Sequence, residues 1–254
     1  METLATRHGP LAYNMLGSGT PFVLLHGNTM TGISQERLAQ RFTDEHTVYS
    51  LDLLGHGQSA RPANLFSEDY FTLQGQAFAD WLTAMFPDSA VPVFGMSAGG
   101  VSAMNAACEQ PERIAALILD SVFVYAGAET VAAHRDSVEN MSKPWYAYLE
   151  KQHGADWWPT LNMGLLTLIE QLEASRRSVV PCLDQIRIPT LVFQGGQDPF
   201  ARPVHGQTIA EAIPGARLVY DEETGHIFSW RDPAGFREIV RAFLREVQHG
   251  PTAT

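Results

Sequence analysis

Short apolar runs alternate along this chain with longer amphipathic segments, and this alternation restricts the fold more than any other sequence feature. After a predicted N-terminal hairpin (residues 4–7 and 11–16), the predicted strands are residues 22–25, 47–51, 91–94, 114–119, 190–194 and 217–220. Most of these runs are apolar throughout, as in strands that are buried on both faces. The predicted helices between them are residues 34–42, 68–86, 98–110, 203–213 and 233–247. This order predicts an α/β fold with a mostly parallel, doubly wound sheet.

One long interval, residues 121–183, interrupts the alternation. It contains no convincing strand and is rich in aromatic residues, among them Trp145, Trp157 and Trp158. An interval of this length is too long for a simple loop in a compact domain. We therefore expect a small helical cap that is inserted before the last two strands into a core domain of residues 1–120 and 184–254.

Charge and composition exclude several classes of partner. The chain carries a formal net charge of −11, whereas nucleic acids and anionic membranes bind clusters of Lys and Arg, so we expect neither as a partner. The N-terminus shows no secretory signal, and Gly, Pro and Ser interrupt the least polar stretch, residues 91–107, too often for it to span a bilayer. We expect a cytoplasmic monomer or homodimer.

Cys108 and Cys182 lack the spacing of a zinc or redox motif and do not predict a disulfide framework.

The pattern Gly-x-Ser-x-Gly at residues 95–99 places Ser97 between a predicted strand and a predicted helix. A nucleophilic serine occupies such a strained strand-to-helix turn in one large group of hydrolases. The free N–H groups at the start of the following helix can stabilise a developing oxyanion. The alternative interpretation is a glycine-rich turn in which Ser97 caps the helix. The strand on one side and the helix on the other favour the nucleophile.

A serine nucleophile needs a base and a group that orients the base. His226 follows the last predicted strand and Asp198 follows the strand at 190–194, so both lie at the carboxyl edge of the sheet with Ser97. Asp198 also fits an ordinary turn. Asp120, at the end of the strand 114–119, is the alternative orienting residue, although it also fits a carboxylate that caps the next turn.

Backbone amides that follow the strand at 22–25 are expected to complete the site. We assign the oxyanion hole to the N–H groups of Asn28 and Ala98. His26 is interpreted as a buried structural histidine. Six other histidines have no companion ligands at metal spacing and are expected to be surface or packing residues; they are His8, His46, His134, His153, His205 and His249.

With these residues placed, the chain resembles the α/β-hydrolase superfamily over essentially its whole length. The matching motifs are HGN at 26–28, DLLGHGQS at 52–59, GMSAGG at 95–100, PERIAALIL at 111–119, IPTLVFQGGQDP at 188–199 and GHIF at 225–228. The resemblance implies a Ser97–Asp198–His226 triad and a cap made by the insertion. In length and cap placement the chain is most similar to small microbial esterases, including the valacyclovir-hydrolase-like and BioH-like groups.

The resemblance implies acyl transfer, because haloalkane dehalogenases and epoxide hydrolases of the superfamily have aspartate where this chain has Ser97. We expect hydrolysis of small, fairly apolar carboxylic esters or lactones through an acyl-enzyme, with no metal or organic cofactor. The expected substrate-binding residues, several of which would equally suit packing of the cap, are Met96, Phe123, Tyr125, Trp145, Trp158 and Ile227. The alternatives are perhydrolysis, C–C or thioester hydrolysis by the same triad, or a small-molecule receptor that has no catalytic activity.

Overall fold

The computed structural model describes residues 1–249, so the tail that the sequence predicts at 250–254 lies outside the described residues. An eight-stranded sheet with strand order β1-β2-β4-β3-β5-β6-β7-β8 forms its centre. The strands are β1 (Glu2–Leu4), β2 (Leu11–Gly17), β3 (Thr20–Leu25), β4 (His46–Leu51), β5 (Val91–Met96), β6 (Ile114–Asp120), β7 (Thr190–Gly195) and β8 (Arg217–Asp221). β2 pairs antiparallel with β1 and β4, and the other strand pairs are parallel.

Helices cover both faces of this sheet, which confirms the predicted doubly wound α/β fold. They are α1 (Glu36–Ala39), α2 (Tyr70–Met85), α3 (Ala98–Glu109), α4 (Ala128–Glu139), α5 (Lys143–His153), α6 (Trp158–Ser175), α7 (Pro203–Ala212), α8 (Phe228–Arg231) and α9 (Pro233–His249). Successive strand residues point to opposite faces. In β5, Val93 therefore joins the core beneath α2 and α3, whereas Phe94 joins the core beneath α1 and α9.

Two predicted elements near the N-terminus have different bounds in the structure. The first strand ends at Leu4 instead of continuing to residue 7, because Thr6 and Gly9 form a hydrogen-bonded turn. Arg7, which follows that turn's first residue, pairs with Asp80 of α2. The helix predicted at 34–42 is a 3₁₀ helix at Gly32–Gln35 followed by the single turn of α1.

The interval between β6 and β7 contains three helices, α4, α5 and α6, which we call the α4–α6 segment. Its last helix contributes Trp158, Leu161 and Leu165 to the same core as α2 and α3. α4 and α6 pack against each other, and the segment lies over the carboxyl edge of the sheet near the ends of β3 and β5. The three helices account for the absence of strand patterns in this part of the sequence.

A disulfide joins Cys108 to Cys182, with the Cα atoms 6.0 Å apart. This corrects the expectation that the two cysteines form no disulfide. Cys108 lies at the end of α3, and Cys182 follows the α4–α6 segment on its return to the sheet. No local motif marks the pair, because only the tertiary fold brings residues 74 positions apart into contact.

Removing this disulfide is expected to destabilise the fold. A cross-link that closes a loop of 74 residues lowers the conformational entropy of the unfolded chain. In the chain-entropy model this raises the free energy of the unfolded chain by about 4 kcal/mol. We expect Cys108→Ala/Cys182→Ala to lower the free energy of unfolding by up to about that amount, as measured by urea denaturation. Dithiothreitol should lower the stability of the wild type and leave the double variant unchanged. Equal denaturation midpoints for the oxidised wild type and the double variant would contradict this prediction.

Candidate active site

Ser97 lies in the turn between β5 and α3 with strained backbone geometry. Its φ is 49° and its ψ is −120°, a conformation that residues other than glycine rarely adopt. The surrounding backbone holds the turn, since the Ser97 N–H donates to the Asp120 carbonyl over 2.8 Å and the Ser97 carbonyl accepts from the Gly100 N–H over 2.9 Å. The side chain is thereby fixed at the carboxyl edge of the sheet, where Ser97 is 7% exposed.

Two glycines beside Ser97 permit this close packing. A Cβ on Gly99 would collide with the carbonyl oxygens of Leu25 and His26, and one on Gly95 would collide with the backbone of Gly100. Their absent side chains therefore let α3 start directly against the end of β3. As a consequence, the loop after β3 lies beside Ser97.

His226 and Asp198 form a hydrogen-bonded pair. The Nδ1–H of His226 donates to Asp198 Oδ2 over 2.7 Å. The other carboxylate oxygen of Asp198 accepts from the N–H groups of Phe200 and Ala201, each over 2.9 Å, and Asp198 is 1% exposed. A buried carboxylate held in this way fixes the tautomer and the orientation of the imidazole. The Nε2 atom of His226 is then the ring nitrogen that is free to accept a proton.

Asp120, the alternative orienting residue, does not contact the His226 ring in a hydrogen bond. Its two carboxylate oxygens accept from the N–H groups of Phe228 and Ser229, each over 2.9 Å. The hydroxyl of Ser121 also donates to Asp120 and in turn accepts from the Ile227 N–H. Burial raises the pKa of Asp120, and these hydrogen bonds oppose that rise. Asp120 thus anchors the backbone directly after His226.

The amides assigned to the oxyanion hole lie on the two sides of Ser97. Within residues 1–249, neither the N–H of Asn28 nor that of Ala98 has a hydrogen-bond acceptor. Ala98 is the first residue of α3, where the N–H has no partner inside the helix. Thr29, which follows Asn28, has a φ of 65°. This turn leaves the Asn28 amide unpaired beside the turn that holds Ser97.

A cavity of about 490 Å³ opens at these residues. Ser97, His226 and Asn28 line it together with α4 and α5 residues such as His134 and Trp145. A second cavity of about 680 Å³ adjoins it along α1. Both are lined by Met30, Met96, Trp145 and Trp230. The two cavities therefore share part of their walls.

Three of the predicted substrate-binding residues line the cavity at Ser97: Met96, Trp145 and Ile227. The other three predicted residues are not part of that cavity lining. Phe123 is buried against Phe71 in the core, and Trp158 is fully buried with its ring stacked on His153. Tyr125 packs edge-on against His205 and is 40% exposed, away from the cavity lining. Composition identified the aromatic insertion, but the packing of its helices and of the connection after β6 decides which ring reaches the cavity.

Sequence reasoning missed other lining residues, among them His134, Phe200 and Trp230. Phe200 and Trp230 each lie within four positions of a predicted catalytic residue, so nearness to Asp198 and His226 was a signal for them. The Phe200 ring packs against His226, with centroids 4.8 Å apart. Burial and the neighbouring His226 lower the pKa of His134 to about 4, so this side chain is neutral at pH 7.

Residues 1–249 contain no group of three or more His, Cys, Asp or Glu side chains that is arranged to hold a metal ion. Among the same residues, every helix is too short or too polar to cross a membrane.

Comparisons with known proteins agree on one family. A family model described as alpha/beta hydrolase fold matches residues 20–177, and one described as TAP-like protein matches residues 172–252. Serine hydrolase BPHL from Mus musculus is 24% identical over 92% of this chain and 83% of its own length. 3-Oxoadipate enol-lactonase 2 from Acinetobacter baylyi is 26% identical over 96% of both chains. The crystal structure of a hydrolase from Pseudomonas aeruginosa has a TM-score of 0.72 at 24% identity, and the match covers 96% of this chain and 97% of that one.

Proposed function

The chain belongs to the alpha/beta hydrolase fold family and is a carboxylic-ester hydrolase, and we propose that it works through a Ser97–His226–Asp198 triad. One observation carries this proposal: Ser97, in its strained turn, and His226, bonded to buried Asp198, line the same cavity. A serine, an imidazole and a carboxylate in this arrangement suit acyl transfer.

In the proposed mechanism, Ser97 Oγ attacks the carbonyl carbon of an ester or lactone while His226 Nε2 takes the hydroxyl proton. Asp198 accepts the Nδ1–H bond and stabilises the imidazolium that forms. The amides of Asn28 and Ala98 bind the oxyanion of the tetrahedral intermediate, and one such donor contributes about 3–4 kcal/mol to lowering the barrier. His226 then protonates the leaving alcohol. In the second half of the reaction His226 takes a proton from water, and the oxygen of that water attacks the acyl carbon. The bond between Ser97 Oγ and the acyl group then breaks, His226 returns the proton to Ser97 Oγ, and the carboxylic acid leaves.

The α4–α6 segment is proposed to act as the cap of this site, with residues 121–183 as its bounds. It supplies Met141 and Trp145 to the cavity walls, and Met30 and Met96 from the core face them. These apolar side chains favour small, fairly apolar esters or lactones. The similarity to an enol-lactonase of nearly equal length supports including lactones.

Covalent labelling tests the proposed nucleophile directly. A fluorophosphonate reacts with a serine that a base activates, so we expect one adduct per chain, located at Ser97 by peptide mass spectrometry. Labelling should slow in the presence of a hydrolysable p-nitrophenyl ester. Ser102→Ala is a suitable control, because Ser102 is buried one turn further along α3 and donates to the Ala98 carbonyl. That variant should be labelled at Ser97 like the wild type. Ester turnover without any adduct at Ser97 would overturn the proposal.

A further inference from the structure

Three buried histidines are in contact at the oxyanion loop, which we define as residues 26–29 and which begins with the first of them, His26. His26 and His56 are 0% exposed and His153 is 1% exposed. The ring centroids of His26 and His56 are 4.9 Å apart, and those of His56 and His153 are 5.6 Å apart. His26 and His56 come from loops of the core, whereas His153 is the last residue of α5 in the α4–α6 segment. The cluster therefore crosses from the proposed cap to the core.

The hydrogen bonds of His153 determine its tautomer. The Gly57 N–H donates to Nδ1 over 3.0 Å, so Nδ1 carries no proton. Nε2 carries the proton and donates to the Thr29 carbonyl over 2.8 Å. Burial lowers the pKa of His153, the hydrogen bond to Thr29 opposes that effect, and the neighbouring Arg61 lowers the pKa further. The neutral ring is required here, because a protonated Nδ1 would face the Gly57 N–H.

The carbonyl that His153 binds belongs to the oxyanion loop. Thr29 follows Asn28 and has the left-handed backbone that leaves the Asn28 amide free. A left-handed residue other than glycine is held by its surroundings and relaxes when they are lost. The other end of the loop is held by His26, whose Nδ1–H donates to the Gly27 carbonyl and whose Nε2 accepts from Leu53. His153 supplies the corresponding side-chain hydrogen bond at Thr29.

His153 is itself held rigidly at the end of α5. Its ring stacks on Trp158, with centroids 5.4 Å apart and an interplanar angle of 15°. Arg61 from the core donates to the His153 carbonyl over 2.8 Å. The Trp157 indole N–H donates to the Gly55 carbonyl over 2.7 Å. These contacts fix the imidazole relative to the core, so its hydrogen bond can hold the position of Thr29.

We propose that His153 is a positioning residue for the oxyanion hole, which acts through Thr29 to keep the Asn28 amide aimed at the reacting carbonyl. This inference rests on the proposed esterase function. The α4–α6 segment would then contribute to the rate of the chemical step as well as to the walls of the cavity. The sequence does not indicate the hydrogen bond between His153 and Thr29, since the two residues are 124 positions apart.

Two conservative variants separate the two hydrogen bonds of His153. In His153→Gln, the amide nitrogen lies as many bonds from Cα as the imidazole Nε2 and keeps the donor to Thr29. In His153→Asn, the amide oxygen replaces Nδ1 and keeps only the acceptor for Gly57. We expect His153→Asn to lower kcat for a p-nitrophenyl ester about tenfold to a hundredfold, with KM within about twofold, since full loss of an oxyanion donor costs about 10²–10³. His153→Gln should retain kcat within about threefold.

A purely structural role predicts a different result. In that case both variants lose kcat in proportion to their loss of thermal stability, and this outcome would overturn the proposal. Unchanged kcat in His153→Asn, or a change confined to KM, would also overturn it. His46→Gln is the matched control. His46 is also a buried histidine, but it is the first residue of β4, at the end of the sheet away from the oxyanion loop, and it forms a hydrogen bond with Thr20. The kcat of His46→Gln should equal that of the wild type. If His153→Asn does not fold, His153→Met removes both hydrogen bonds and is expected to show the same loss of kcat.

Labelling at Ser97 keeps the two proposals distinguishable. If the wild type forms no fluorophosphonate adduct and cleaves no ester, the proposed function fails before the variants are compared. If the wild type forms the adduct and turns over ester while His153→Asn keeps full kcat, only the positioning role fails.

Discussion

Replacing Ser97 with alanine should lower kcat for a p-nitrophenyl ester by about 10⁵- to 10⁶-fold, because the oxygen atom that we propose to form the acyl-enzyme is lost. The fold should be retained. Among the described residues, the hydrogen bonds of Ser97 involve its backbone N–H and carbonyl, which alanine keeps. The free energy of unfolding should therefore change by less than about 1 kcal/mol. A residual acceleration over water is expected from the oxyanion amides and from substrate binding.

Steady-state kinetics with p-nitrophenyl esters of increasing acyl length measure this effect. We expect the kcat of Ser97→Ala to be far below that of the wild type with every ester, whereas the urea denaturation midpoints of the two proteins should lie close together. If Ser97→Ala kept more than about 1% of wild-type kcat, another nucleophile would be responsible and the triad would be wrong. If the wild type itself cleaved no ester or lactone yet bound small molecules tightly, the receptor alternative would replace catalysis.

The sheet and the geometry of the turn at Ser97 were predictable because they depend on local sequence. A continuous apolar run such as residues 114–119 has to be buried on both faces, so it is placed inside a parallel sheet whatever surrounds it. The carboxyl edges of β5, β7 and β8 then bring the loops of Ser97, Asp198 and His226 together. Strand order brings Asp120 to the same edge, so it does not decide between the two carboxylates, and the hydrogen bond between His226 and Asp198 is a finding of the structure.

The remaining features depend on contacts between distant segments. Trp158 and Trp145 are equally aromatic, yet Trp158 is buried against His153 while Trp145 lines the cavity. Which side of α5 or α6 faces the core depends on how the whole segment packs; α5 buries only Leu149 and His153, which is too few to mark a side in the sequence. The disulfide between Cys108 and Cys182 follows from the same packing. In each case the tertiary structure determines what the side chain contacts.

Replacing Asp198 with asparagine should lower kcat about 10⁴-fold while leaving the fold intact. The asparagine oxygen can still accept from the N–H groups of Phe200 and Ala201. Its NH₂ group then faces His226 Nδ1, which favours the tautomer with the proton on Nε2, and that tautomer cannot accept the proton of Ser97. The urea midpoint of Asp198→Asn should lie close to that of the wild type. A loss of less than about tenfold would exclude Asp198 as the orienting residue.

Asp120→Asn is the matched comparison, because it makes the same chemical change in the other buried carboxylate at this edge. Both oxygens of Asp120 accept from backbone N–H groups, at Phe228 and Ser229, so an asparagine NH₂ group must face one of these donors. An unsatisfied buried donor costs about 1–3 kcal/mol, and we expect the free energy of unfolding to fall by that amount. kcat should fall only about tenfold through displacement of the His226 loop, far less than for Asp198→Asn. The opposite ranking, in which Asp120→Asn abolishes turnover and Asp198→Asn does not, would assign the carboxylate of the triad to Asp120.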